Sequence, residues 1–273
     1  MQKSTLVETR LTKSHYQIEG PERAPVVLLG HGLAANLTMW DRNVPELASR
    51  YRVLRYDARG HGKSPPRGPA CTVADLAADV IELLDAAGIE RVHFCGQSMG
   101  GLVGQYLAAE VSSRLCSVTL CNTTSRQMVP DAWQKRIDSV RHGGIDAIVE
   151  GTVARWLTSA FMARESRLTD GVRRMILETA PAGYMECANA VRDADQTRLL
   201  GAIGIPALVL TGSEDEVATP LLAGQLHAAI PGSSLKIIPY AAHMPNIEQP
   251  GAFNRLLSEF VDSVEKAREA REM

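Results

Sequence analysis

Residues 93–104 read HFCGQSMGGLVG. An apolar run at 91–96 enters this stretch and an amphipathic pattern at 99–110 leaves it, which holds Ser98 at a strand-to-helix corner. So sharp a corner brings the two flanks close together, and Gly96 and Gly100 are the residues that give it room. The spacing G-x-S-x-G is weak by itself, because two glycines around a serine arise by chance. Buried strand, motif and helix in that order are specific. A hydroxyl so placed stands above the sheet at a helix N-terminus, where free N–H groups and the dipole favour an oxyanion. A turn serine that merely caps the helix is the plainer alternative, and the strand–motif–helix order favours a nucleophile.

The same rhythm runs outward in both directions. Stretches 26–29, 52–56, 91–96, 117–121, 207–211 and 234–239 read as buried strands. Residues 72–88 read as a helix, with Thr72 and Asp75 in capping-box positions, Leu76, Val80, Leu83 and Leu84 on one face, and Gly88 as the stop. Residues 99–110 and 250–267 read as further helices, the last opened by Pro250. Strands alternating with helices predict an α/β fold with a mostly parallel sheet flanked by helices. Stretches 4–10 and 14–19 predict a leading hairpin.

The alternation stops between 125 and 198. Helical patterns at 130–142, 144–158, 163–179 and 183–193 follow one another, punctuated by Gly143-Gly144 and Pro181. This predicts a core in two parts, 1–124 and 199–273, with a helical cap inserted at 125–198. The charged end 265–273 is expected to fray.

A chain of 273 residues and net charge −2 has no general electrostatic grip on nucleic acid or on an anionic membrane. No apolar run approaches a membrane span, and MQKSTLVETRLTK has no apolar core of a secretory signal. The five cysteines, at 71, 95, 116, 121 and 187, form no CxxC and no His/Cys group with zinc spacing, so no metal is expected. Reduced thiols point to the cytoplasm. Oligomeric state leaves no mark in the sequence.

A serine hydroxyl is a poor nucleophile without a base. In a strand–turn–helix nucleophile architecture the acid and then the histidine follow the serine along the chain. His15, His31, His61 and His93 come too early, His142 falls in the cap, and His227 sits inside a helical pattern. His243, in AAHMPN, follows the last strand. The acid belongs after the preceding strand, in ALVLTGSEDE, where Asp215 is favoured over Glu214 and Glu216 because Gly212 and two further residues let the loop fold back. The competing position, after 117–121, holds Asn122, which cannot carry charge. Ser98 would attack a carbonyl, His243 would take and return the proton, and Asp215 would orient the imidazole. The oxyanion would lie between the backbone N–H groups of Met99 and of Leu33 in the loop GHGLAAN. His31 reads as structural, DARGHGKS (57–64) as a tight turn, and Glu248 as an opener of the final helix.

With these residues in place the chain resembles the α/β-hydrolases over nearly its whole length. Within them it is most similar to the 3-oxoadipate enol-lactonases of aromatic catabolism, through RVLRYDARGHGKS, IERVHFCGQSMGG, LCNTTS, GYMECANAVRDAD and AAHMPNIEQP. The resemblance implies a cofactor-free cytoplasmic enzyme that opens the lactone of a small dicarboxylate-derived compound, with Ser, Asp and His falling on Ser98, Asp215 and His243. The chain departs from the family where that pattern has N-S-L-G before a Met-Trp pair; here the loop reads GHGLAANLTMW, a form common in general esterases. An enol-lactone suits the site because its leaving group is an enolate. Its free carboxylate calls for a cation, and Arg126, Arg136, Arg155 and Arg192 are the candidates, with Trp133 and Trp156 as candidate pocket walls. A general carboxylesterase or lactonase, a carbon–carbon bond hydrolase of ring-cleavage products, and a low-turnover ligand receptor on the same fold are the alternatives.

Overall fold

The apolar runs assemble into one eight-stranded sheet in a computed structural model that describes residues 3–8 and 13–272. The strands are β1 (Lys3–Glu8), β2 (Lys13–Glu19), β3 (Val26–Gly30), β4 (Arg52–Tyr56), β5 (Val92–Gln97), β6 (Leu115–Cys121), β7 (Ala207–Gly212) and β8 (Ser234–Ile238). Their order is β1-β2-β4-β3-β5-β6-β7-β8. The leading hairpin β1–β2 is antiparallel, β2 joins β4 antiparallel, and every later pairing is parallel. Residues 9 and 10 of the expected first hairpin strand lie outside the described residues.

Every residue of β5, β6 and β7 is buried, as central strands covered on both faces must be. β8 is an edge, and there Lys236 and Ile237 are exposed. The helices are α1 (Val44–Leu47), α2 (Val73–Ala86), α3 (Met99–Glu110), α4 (Pro130–Gly143), α5 (Val149–Trp156), α6 (Ser159–Arg164), α7 (Ser166–Leu177), α8 (Pro181–Asp193), α9 (Pro220–Ala229), α10 (Pro245–Glu248) and α11 (Pro250–Glu272). The capping box of α2 forms as its sequence implies: Thr72 Oγ1 accepts from Asp75 N–H at 3.2 Å, and Asp75 Oδ2 accepts from Thr72 N–H at 2.8 Å.

Helices α4 to α8 all lie between β6 and β7. Three details there differ from the sequence reading. The pattern 163–179 is not one helix, because Thr158 caps α6, accepting from Phe161 N–H at 3.1 Å, and the chain breaks at Glu165 before α7 restarts. The stretch 144–158 opens with a 3₁₀ turn, Ile145–Ile148. Pro181 starts α8 in its first turn rather than separating helices. The tail also differs: α11 continues to Glu272 and fastens to the sheet through Glu265, 3.1 Å from His93 Nε2. No helix among the described residues is long and apolar enough to cross a membrane.

The parallel strands aim their C-terminal ends at one edge of the sheet. Loops leaving β3, β5, β6, β7 and β8 therefore meet there, and α4 to α8 are inserted between two of those loops.

Candidate active site

Ser98 lies between β5 and α3 with φ 53° and ψ −110°, a strained conformation for a side-chain-bearing residue. Two hydrogen bonds hold the strain in place: Ser98 N–H donates to Cys121 O at 2.9 Å, and Thr123 Oγ1 donates to Ser98 O at 2.8 Å. The flanking glycines are obligatory. A Cβ on residue 96 would lie 2.1 Å from Gly100 O, and one on residue 100 would lie 2.6 Å from Gly30 O.

Asp215, in the loop after β7, is 2% exposed while Glu214 and Glu216 beside it are exposed. Its Oδ2 accepts from His243 Nδ1 at 2.9 Å and from Asn122 Nδ2 at 2.8 Å. Its Oδ1 accepts from the N–H groups of Val217 at 2.8 Å and Ala218 at 3.1 Å. Burial works to raise this carboxyl, but pairing with His243 and donation from Asn122 and Val217 outweigh it and hold the group below the ordinary carboxylate range. An ionised Asp215 accepts from Nδ1–H, which leaves Nε2 of His243 as the ring's base. The His243 carbonyl is fixed by Gln97 Nε2 at 2.9 Å, and the Trp156 ring stands 6.4 Å from the imidazole, centroid to centroid.

Asn122 was passed over in the sequence because an amide cannot be the acid. It matters as a donor. With φ 45° at the end of β6, it reaches both Asp215 and, at 3.2 Å, the carbonyl of Ala242 beside His243. The signal was present in LCNTTS, whose asparagine ends a strand next to the one that Asp215 follows.

Ser98, His243, Leu33, Trp133, Trp156, Arg136 and Arg155 line one cavity of about 260 Å³. That is below the roughly 300–1,000 Å³ of drug-sized ligand sites and suits a small substrate. His243 is the only one of the seven histidines among its lining residues. Among the described residues neither Leu33 N–H nor Met99 N–H has a protein acceptor. The loop from β3 comes close to the serine: a Cβ on Gly32 would be 3.3 Å from Ser98 Cβ.

That loop is braced by the turn 57–64. Asp57 Oδ1 accepts from Leu37 N–H at 2.8 Å, and His61 Nε2 accepts from Ala34 N–H at 3.0 Å. His31 Nε2 in return accepts from Ala58 N–H at 2.8 Å. Both rings donate through Nδ1 to carbonyls, His31 to Gly32 at 2.7 Å and His61 to Arg59 at 2.9 Å, so both are neutral structural histidines. Burial, with His31 adjacent, pushes His61 down to about 3, and burial lowers His31 too. A histidine lowered by folding leaves the unfolded chain holding more protons between about pH 6.5 and the folded value. Stability is therefore full above that window and falls on acidification through it, by about 1.4 kcal/mol per pH unit for each such ring. Urea unfolding at pH 7, 6 and 5 should show this slope, and His61→Gln should flatten it.

Glu248 does not open α11. It lies in α10 and bonds Thr158 and Ala242, a link between the helical segment and the His243 loop. Of the candidate arginines, Arg136 and Arg155 reach the cavity, whereas Arg126 and Arg192 line a separate depression beside Asp193 and Asp195. Arg136 stands out in its partners. Its Nε donates to Tyr184 OH and its Nη2 to Thr152 Oγ1, each at 2.5 Å, and it lies 5.8 Å from the Trp133 ring centroid. Burial pushes the Tyr184 phenol up, so this partner is a neutral acceptor. Among the described residues no carboxylate pairs with Arg136 or Arg155.

One group of potential metal ligands, which no spacing in the sequence betrayed, comes together: His93, Cys116 and Glu265, with ligand atoms within 4.8 Å of one another. The Arg268 guanidinium already donates to Cys116 Sγ at 3.2 Å and to Glu265 Oε1 at 2.5 Å, so the group is an ion-pair cluster at the far end of β5 from Ser98.

Residues 25–250 match the family model described as the alpha/beta hydrolase fold. The 3-oxoadipate enol-lactonase 1 of Acinetobacter baylyi is 35% identical over 91% of this chain and 93% of its own length. Among solved structures, an enol-lactonase from Burkholderia xenovorans is 37% identical with a TM-score of 0.92, covering 94% of this chain and all of that one. A thermophilic esterase from Thermogutta terrifontis, solved with malate bound, is 28% identical with a TM-score of 0.90 over 96% of this chain and 99% of that one. The chain belongs to the α/β-hydrolase fold family, and it is an ester hydrolase similar to the 3-oxoadipate enol-lactonases.

Proposed function

We propose that this enzyme hydrolyses a small anionic lactone, 3-oxoadipate enol-lactone, to 3-oxoadipate through a covalent acyl-enzyme. The observation that carries the reading is Arg136: a guanidinium in the wall of the Ser98 cavity, oriented by two neutral hydroxyls and, among the described residues, without a carboxylate partner. A substrate carboxylate is the partner it lacks. Two similar proteins are enol-lactonases, one of them named for 3-oxoadipate enol-lactone, and the similar esterase was solved with malate, a small dicarboxylate, bound.

In the proposed mechanism Ser98 Oγ attacks the lactone carbonyl as His243 Nε2 takes its proton. The carbonyl oxygen turns to the N–H groups of Leu33 and Met99. The ring C–O bond breaks, His243 gives its proton to the departing enolate oxygen, and the enol ketonises within the acyl chain. Water then attacks the acyl carbonyl as the neutral His243 takes its proton, the bond to Ser98 breaks, and His243 returns that proton to Ser98 Oγ. Residues 125–198 act as a cap in this reading, supplying Trp133, Arg136, Arg155 and Trp156 over a core formed by 1–124 and 199–273. The chemistry uses these side chains and water alone. Five free, buried cysteines fit a cytoplasmic enzyme.

Turnover of 3-oxoadipate enol-lactone, compared with neutral esters of similar size, tests the proposal. Preference for the lactone by at least tenfold in kcat/KM is expected. Cleavage of simple esters without lactone turnover would instead establish the general carboxylesterase that the GHGLAAN loop favours.

A further inference from the structure

The loop that carries His243 is tied to the helical segment as well as to the sheet. Glu248 follows His243 by five residues and is 4% exposed. Its Oε2 accepts from Ala242 N–H at 2.6 Å. Its Oε1 accepts from Thr158 N–H at 2.9 Å and from the Thr158 hydroxyl at 2.7 Å. On the other side of His243, Met244 N–H donates to Trp156 O at 3.1 Å. Both neighbours of the histidine are thereby pinned to residues 156–158, the junction of α5 and α6, where Trp156 stands in the cavity wall.

We propose that Glu248 is a positioning residue for His243: its carboxylate straps the 242–244 loop to Thr158 at the junction of α5 and α6, so that the imidazole is held against Asp215 while its free nitrogen serves Ser98. The proposal rests on the reading of His243 as the base. A carboxylate is suited to this strap because three donors converge on two oxygens. A glutamine of the same size would turn its NH₂ group toward an N–H. Burial pushes this carboxyl above the ordinary range, a strain that an apolar residue filling the same space would avoid. Small displacements of a catalytic base are costly: a misplacement of about 1 Å can lower the rate about 100-fold.

Glu248→Ala, Glu248→Gln and Thr158→Val test the strap. Active sites are counted with a fluorophosphonate that labels the nucleophilic serine, and kcat per labelled site and KM are then measured on a small activated ester. Both Glu248 variants are expected to lose up to about 100-fold, and at least about 10-fold, in kcat per site with KM within about threefold. Thr158→Val, which keeps the backbone donor, should lose less in the same direction, and it carries the test if the Glu248 variants do not fold. Unchanged turnover per site with fewer labelled sites or a lower melting temperature would make Glu248 a structural fastener only and overturn the proposal, as would full activity in Glu248→Gln. Failure of the underlying reading looks different: Ser98→Ala or His243→Ala would then retain activity, whatever Glu248 does.

Discussion

Ser98→Ala is expected to lower kcat on lactones and activated esters by about 10⁴- to 10⁶-fold while the chain stays folded. The size of the loss follows from the unit in which Ser98 acts. In the proposed mechanism His243 and Asp215 serve to remove one proton from one hydroxyl, so without that hydroxyl their contribution goes too, and what remains is the proposed oxyanion donors and the cavity. Folding should survive because no hydrogen bond of the Ser98 side chain holds the structure together among the described residues; the bonds at that corner are made by its backbone. The corner gives a second readout. Residue 98 sits at φ 53°, which favours glycine, so Ser98→Gly should be equally inactive yet melt at or above the wild-type temperature, by about 1 kcal/mol of relieved strain. Steady-state kinetics together with a thermal melt check both. Residual activity above a few per cent in either variant would remove Ser98 from the mechanism.

Arg136→Met should lower kcat/KM for the anionic lactone by about 30- to 1,000-fold and leave a neutral ester of similar size within about threefold. A charge-assisted pair in a partly buried wall, once one partner is deleted, loses about 2–4 kcal/mol because the substrate carboxylate is left desolvated without its partner. Nothing comparable acts on a neutral ester. Arg136→Lys should not restore the preference, since the fork that meets Tyr184 and Thr152 at once is planar and a lysine offers a single point of contact. Arg155→Met should matter less, because that guanidinium is exposed and screened. Equal losses on the charged and the neutral substrate would make Arg136 a structural residue of the α4–α8 packing and leave the carboxylate without its proposed partner.

Some parts of this molecule could be read from local patterns because local rules govern them. The corner at Ser98 needs glycines at two positions four apart, and Thr72 and Asp75 cap a helix over one turn; neither depends on distant residues. The order of strands and loops also placed Asp215 and His243, since a parallel sheet brings successive strand ends to one edge and the chemistry restricts which residue types can serve there. Helix boundaries between 144 and 181 were less legible. Periodicity averages over several turns, and one hydroxyl at Thr158 or one proline at 181 decides where a helix starts.

Local pattern carried the strand–helix alternation, the glycine-flanked corner at Ser98, and the choice of serine, acid and histidine proposed to act together. Long-range packing set the rest: Asn122 donates to Asp215, Glu248 bonds the loop beside His243 rather than opening α11, and Arg136 rather than Arg126 or Arg192 faces the cavity, unpaired with any carboxylate among the described residues. The physical reason is range. Backbone geometry and helix periodicity are set within a few residues, whereas a hydrogen bond between positions 122 and 215, or 158 and 248, exists only after the sheet has brought them together.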